Sequence, residues 1–170
     1  MKNDLNCPVN YWLMKSEPSC FSIDDLQTRP DGTEHWDGVR NYQARNLLRD
    51  RLKPGDGVLF YHSNCPQPAI VGVARVVRGG YADHTAFDPR EKHFDPKSRH
   101  DHPTWFMVDV QYICHLPSPL TRDDLRQHPV LSGMGVLRKG NRLSVQPVTE
   151  AQWCAVLEVC GLDDRWNLSE

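Results

Sequence analysis

Side chains able to hold a flat, phosphate-bearing molecule are grouped in residues 36–46, WDGVRNYQARN. Trp36 supplies a planar ring, Arg40 a cation and Asn41 an amide. Gly38 permits a turn tight enough for the Trp36 and Arg40 side chains to share one space. A ring, a cation and a helix start together suit a heterocycle that carries a phosphate. This segment alone leaves open a packed tryptophan beside a surface arginine.

A helix follows directly and would position these groups. Asn41 is a favourable N-cap residue, and Ala44, Leu47 and Leu48 have the spacing of one apolar helix face. The sequence therefore predicts a helix over residues 41–52 that ends before Pro54.

Three further segments place polar side chains at strand ends, where sheet proteins commonly present them to ligands. Lys15 and Ser16 end a predicted strand over residues 11–15, and His62 and Ser63 end one over residues 57–62. A basic turn at residues 138–142 precedes a strand over residues 143–148. A surface Lys–Glu pair, hydrogen-bonded turn residues and a solvated hairpin are the alternatives at these three places.

Four separated motifs resemble the EVE domain family. They are YWLMKSEP at residues 11–18, the segment at 36–46, FYHSN at 60–64 and RLSVQPV at 142–148. The resemblance covers about residues 10–153, nearly the whole chain. It implies a PUA-like fold, distantly similar to the YTH readers of methylated adenine, and a pocket for a modified nucleobase.

The residue types and the resemblance together predict the members of that pocket: Lys15, Ser16, Trp36, Val39, Arg40, Asn41, His62, Ser63, Trp105, Arg142, Ser144 and Gln146. The base would stack on Trp36, while Asn41 and either Ser16 or Ser144 hydrogen-bond its polar edge. Gln146 could contact a base edge as well. Arg40, Lys15 and Arg142 would hold the flanking phosphates. Trp105 begins a strand, so it could equally belong to the core.

The alternation and turn residues predict an α+β domain. Its strands cover residues 11–15, 57–62, 69–78, 104–115 and 143–148, and its helices start near Ser22, Asn41, Thr121 and Thr149. We expect a curved, mostly antiparallel sheet or PUA-like barrel with short helices in the connections and a C-terminal helix. Trp12, Trp153 and Trp166 are expected to pack in the interior.

Length and composition are typical of a globular protein with one core. The 170 residues predict a short extension at 1–9, one domain at 10–162 and a tail at 163–170. A net charge of −2 argues against non-specific coating of nucleic acid, which needs many phosphate contacts. No apolar run approaches membrane-spanning length, and the six scattered cysteines form no Cys-x-x-Cys pair.

Residues 79–103 form a long, polar and aperiodic connection, and such segments are usually functional or mobile. His93, His100 and His102 could serve as metal ligands, but their spacing fits no common metal motif and the segment has mixed charge. We therefore expect no metal site. Phe87 and Phe94 could instead close over a ligand as parts of a lid.

The predicted function is a non-catalytic reader that binds a modified nucleobase flipped into an aromatic pocket. Methylated or hydroxymethylated cytosine in DNA is the first candidate, and a modified base in RNA the second. No cofactor, metal or catalytic residue is expected. An enzyme acting on a modified nucleotide is one alternative, since His62, Ser63 and Cys65 stand together, although no Gly-x-Ser-x-Gly motif is present.

A small-molecule or protein-interaction domain is the other alternative. The expected partner is nucleic acid, without a membrane, and the chain is expected to act as a monomer. The sequence shows no basic nuclear-targeting extension, which favours a bacterial cytoplasm; in a eukaryote we expect the nucleus.

Overall fold

The computed structural model describes residues 9–162, which form one sheet flanked by short helices. The strands are β1 (Tyr11–Ser16), β2 (Thr33–Trp36), β3 (Gly57–His62), β4 (Ala69–Ala82), β5 (Phe106–Thr121) and β6 (Val145–Val148). The α-helices are α1 (Ile23–Thr28), α2 (Tyr42–Asp50), α3 (Arg122–Gln127) and α4 (Glu150–Val159). Short 3-10 turns lie at Pro30–Gly32, His84–Ala86, Leu131–Gly133 and Gly135–Leu137.

The six strands are ordered β2-β5-β4-β3-β1-β6. Only β1 and β3 pair in parallel within the described residues, and the other neighbours are antiparallel. The predicted α+β class, the mostly antiparallel sheet and the C-terminal helix are confirmed. Across residues 9–162 the sheet has two edges, β2 and β6, so it is open and not closed into a barrel.

Irregular pairing bends this sheet strongly. The β4–β5 register shifts at four places, and β3–β4 shifts once between Phe60 and Tyr61. Bulges of this kind bend a strand and increase its twist. As a result β1 and β2, which three strands separate in the sheet order, come close enough for their ends to border one cleft.

Two apolar clusters cover the two faces of the sheet. Trp12 and Met14 of β1 belong to one cluster and the intervening Leu13 to the other, as the alternation of a buried strand requires. The Trp12 indole N–H also donates to the buried Asp56 carboxylate at 2.8 Å. Trp12 and Trp153 are buried as predicted, whereas Trp166 lies outside the described residues.

Local end signals predicted the helices well. Ser22 with Asp25, Thr121 with Asp124, and Thr149 with Gln152 each form the expected capping box. None of the helices within residues 9–162 has the length and apolar character that crossing a membrane requires.

The strand boundaries needed correction. β2 was not predicted, because its sequence TEHW has no apolar alternation and it is held by pairing with the distant β5. β4 and β5 continue beyond the predicted ends to Ala82 and Thr121. The predicted loop at 79–103 therefore becomes the connection 83–105 between these two strands.

Candidate nucleic-acid interface

A cleft of about 480 Å³ opens where the ends of β1 and β2 meet the connection 83–105. Its lining includes Lys15 and Ser16 from the end of β1 and Trp36 from the end of β2. The other lining residues are Glu17, Cys20, Phe21, Arg29, Glu34, His35, Asp37, Gly38, Lys92 and His93. Three of the twelve predicted pocket residues therefore line this cleft directly.

Trp36 forms an apolar part of the cleft and is held firmly in place. Its ring packs edge-on against Phe60 of β3, with ring centroids 5.3 Å apart. The residue is 7% exposed and also belongs to an apolar cluster. The indole is thus both a core residue and a boundary of the cleft.

The turn after Trp36 requires glycine at position 38. Gly38 has φ of 77°, which side chains disfavour, and a Cβ there would lie 2.6 Å from the His93 ring. The Gly38 N–H donates to the Asp83 carboxylate at 2.9 Å. The turn is therefore packed beneath His93 and tied to the first residue of the connection.

Arg40 turns into the protein and joins the turn to the same connection. Its guanidinium contacts the Asp83 carboxylate at 2.9 Å and donates to the His93 carbonyl at 3.0 and 2.6 Å. It also lies 5.3 Å from the Trp105 ring centroid. Since these partners occupy it, Arg40 positions the cleft wall, and a phosphate would have to displace them.

Asp83 is fully buried yet ionised. Burial raises the pKa of its carboxyl, but hydrogen bonds from Thr85, Arg40 and the Gly38 backbone outweigh that effect and lower the pKa below its usual value. Sequence reasoning missed this residue, because Gly38 and Arg40, the partners that connect it to the cleft, are more than 40 positions away along the chain.

Val39, Asn41 and Trp105 lie beside the cleft without lining it. Val39 belongs to the core, and the Asn41 side chain caps α2 by accepting from the Ala44 N–H at 3.0 Å. Trp105 is 6% exposed, and its indole donates to the Asp95 carboxylate at 2.7 Å. The Asn41 cap was predicted, and of the two alternatives for Trp105 the structure favours the packed one.

His62 and Ser63 do not line the cleft, but they form hydrogen bonds to two segments that approach it. The Ser63 N–H donates to the Ser16 carbonyl at 3.0 Å, and His62 Nε2 accepts from the Ile23 N–H at 3.2 Å. Burial lowers the pKa of the His62 imidazole. The two residues therefore hold the end of β1 and the start of α1, both of which approach the cleft.

The segment 142–146 lies along the other side of β1. The Ser144 carbonyl accepts from the Lys15 N–H at 2.8 Å, and Arg142 is exposed. Gln146 is only 3% exposed, and its amide donates to the Leu143 carbonyl at 2.8 Å. Gln146 borders a separate cavity of about 420 Å³, because its position in β6 places it on the opposite face of the sheet from Trp36.

The cleft carries charges of both signs. Lys15, Arg29 and Lys92 are cationic, and Glu17, Glu34 and Asp37 are anionic. Burial, with a smaller effect from Arg122, lowers the pKa of the Lys15 ammonium group. Lys92 and His93 belong to the connection 83–105, which was predicted to act as a lid.

Among residues 9–162, no group of three or more His, Cys, Asp or Glu side chains is placed to hold a metal ion.

The EVE domain model matches residues 10–159 of this chain. The chain belongs to the EVE domain family. The resemblance seen in the four motifs is thereby confirmed, and this EVE domain has relatives in animals and bacteria.

Rat thymocyte nuclear protein 1 is 44% identical over 166 residues, which cover 88% of this chain and 73% of the relative. A Pseudomonas putida protein of known crystal structure is 45% identical, with a TM-score of 0.83, covering 88% of this chain and 99% of its own.

The crystal structure of human thymocyte nuclear protein 1 in complex with DNA that contains 5-methylcytosine is a third relative. It is 40% identical, with a TM-score of 0.83, and the match covers 91% of this chain and 99% of the human chain.

Proposed function

We propose that this EVE domain is a non-catalytic reader that binds a modified base, foremost 5-methylcytosine in DNA. The observation that carries the proposal is the cleft bordered by Trp36, Lys15 and Ser16. The human relative crystallised with DNA containing 5-methylcytosine supports the choice of base.

The base would enter the cleft after leaving its stack. A base within a duplex is covered on both faces, so a cleft of this kind must receive it flipped or single-stranded. The volume of about 480 Å³ falls within the range of small-molecule sites, about 300–1,000 Å³. Contact of the base with the exposed part of Trp36 would contribute about 1–3 kcal/mol.

The methyl group alone gives limited selectivity. Burial of one methyl group against apolar side chains such as Phe21 and Trp36 contributes about 0.8 kcal/mol. Selection among bases must therefore come mostly from hydrogen bonds to the polar edge, because an unmet hydrogen bond in a closed site costs more than a missing methyl.

A small number of cations would hold the backbone. Lys15 and Lys92 border the cleft, and Arg142 is exposed on the segment that pairs with Lys15. Such a limited set suits a chain of net charge −2 that binds one nucleotide and its neighbours.

Binding measurements test the proposal. Fluorescence anisotropy would compare DNA oligonucleotides containing 5-methylcytosine, 5-hydroxymethylcytosine, N6-methyladenine or no modification, with an RNA competitor. Trp36→Leu keeps an apolar side chain but removes the flat ring, and we expect it to weaken binding about tenfold or more. Trp153→Leu is the matched control, because Trp153 is also buried but lies on the other face of the sheet.

Two results would contradict the proposal. Equal affinity for modified and unmodified DNA would exclude a modified-base reader, and absence of any nucleic-acid binding would favour a small-molecule or protein-interaction domain. Mass spectrometry of the recovered oligonucleotide tests for catalysis, because a reader leaves its mass unchanged.

A further inference from the structure

A protein that selects 5-methylcytosine in DNA must reject thymine. Both bases are pyrimidines with the same methyl group at C5, so stacking and methyl burial do not separate them. They differ at position 4, where cytosine presents an amino group that donates and thymine a carbonyl that accepts. A side chain that only accepts hydrogen bonds would distinguish the two.

Three carboxylates border the cleft, and Glu34 is already engaged. Its oxygens accept from Arg29 Nε at 3.0 Å and from His35 Nδ1 at 2.8 Å. Glu17 also borders the cleft, and this residue is exposed to solvent.

Asp37 differs from both. Its side chain is 34% exposed, and the ion-pair partner within reach among the described residues is His35 Nε2, at 3.8 Å. That distance exceeds a hydrogen bond, so the Asp37 carboxylate retains its capacity to accept one.

The backbone holds Asp37 in place from both sides. The preceding residue, Trp36, pairs with Val108 of β5. The following residue, Gly38, donates its N–H to the buried Asp83 carboxylate at 2.9 Å. Asp37 therefore stands on a fixed turn directly next to the aromatic boundary of the cleft, and little ordering is needed before it contacts a ligand.

We propose that the Asp37 carboxylate accepts a hydrogen bond from the 4-amino group of the bound base and thereby rejects thymine. The inference rests on the proposed function and names the group that selects cytosine. A carboxylate opposite the thymine 4-carbonyl brings two acceptors together without a proton between them. Acidic side chains accept from the cytosine amino group for the same reason in groove recognition.

Asp37→Asn tests this assignment, because asparagine has nearly the same shape and can also donate. Affinities would be measured for three oligonucleotides that differ only in 5-methylcytosine, thymine or cytosine at one position. We expect the preference for 5-methylcytosine over thymine to fall at least about tenfold in the variant. Asp123→Asn makes the same chemical change on α3, outside the cleft, and should leave the preference unaltered.

A ligand change tests the same contact in the unaltered protein and does not depend on how the variant folds. 5-Methylcytosine with both amino hydrogens replaced by methyl groups should bind about as weakly as thymine. Retention of the preference by Asp37→Asn, together with loss of binding in Trp36→Leu, would overturn this inference and leave the proposed function standing. Wild-type protein that does not distinguish 5-methylcytosine from cytosine would overturn the proposed function itself.

Discussion

The Arg40 guanidinium and the Asp83 carboxylate form an ion pair at 2.9 Å, with the carboxylate fully buried. Arg40 follows the turn beside the cleft, and Asp83 begins the connection 83–105. Because Asp83 also accepts from Gly38, a single carboxylate fixes both the turn that carries Asp37 and the segment that brings His93 over it. The shape of the cleft depends on this pair.

Asp83→Asn should therefore lower both stability and binding. The side-chain NH2 group of asparagine would face the Gly38, Arg40 and Thr85 groups that donate to Asp83. Breaking a buried ion pair in this way costs about 3–5 kcal/mol of folding stability. Urea denaturation would measure the free energy of unfolding. Asp88→Asn is the control, because Asp88 pairs with the exposed Arg90. Equal stability of the two variants would contradict the role assigned to Asp83.

Arg142→Gln should weaken DNA binding without changing base preference. Arg142 is exposed, and the neighbouring Asn141 anchors its turn by donating to the Gly135 carbonyl at 2.9 Å. Loss of one phosphate contact should weaken binding to all sequences similarly and reduce the slope of log affinity against log salt by about 1. Titrations at several salt concentrations give this slope, with Arg126→Gln in α3 as control.

An unchanged slope in Arg142→Gln, or a changed base preference, would exclude the phosphate contact.

Arg40 was predicted from its sequence context to make the same kind of contact. Its bonds to Asp83 and His93 lead us to expect that Arg40→Gln will instead resemble Asp83→Asn, with lower stability as the main effect.

Local patterns predicted much of this fold. The three capping boxes and the bounds of β3 depend on residues within a few positions of one another, and all were predicted. The end of β5 was not, because Pro117 and Pro119 lack the N–H groups of a regular ladder. The register shift between Ile70 and Gly72 accommodates this proline-containing segment, and the sequence contains no sign of it.

Of the residues that the sequence motifs suggested for the pocket, only a few line the cleft. Lys15, Ser16 and Trp36 were identified in this way. Phe87 and Phe94 were predicted to cover the ligand, whereas the residues of this connection that line the cleft are Lys92 and His93. Arg40 holds this part of the connection by donating to the His93 carbonyl, 53 positions away. Gln146 was expected in the same pocket, but the strand alternation of β6 directs it to the other face.

Hydrogen exchange should show that the connection 83–105 has an anchored part and a responsive part. The Asp83 N–H donates to the Trp105 carbonyl and the Asp95 N–H to the Ala86 carbonyl, so both amides should be protected in the free protein. Binding of DNA containing 5-methylcytosine should add protection around Lys92 and His93. The unmodified oligonucleotide serves as control, and unchanged exchange across residues 81–102 would exclude a lid.

The stability of the protein should fall as the pH drops below about 6.5, in part through His62. Burial lowers the pKa of this imidazole below its usual value of 6.5, so on acidification the unfolded chain takes up the proton first. The stabilisation is complete above that value and is lost as the pH falls toward the pKa of the folded state. Protonation would also turn Nε2 from an acceptor into a donor facing the Ile23 N–H.

His62→Gln tests this assignment, because a glutamine oxygen accepts a hydrogen bond but does not titrate. Urea denaturation at pH 7.5, 6.5 and 5.5 would give the free energy of unfolding of each protein. We expect a shallower decline in His62→Gln than in the wild type, while His102→Gln, at an exposed position, should follow the wild type. The same decline in all three proteins would place the titrating group elsewhere.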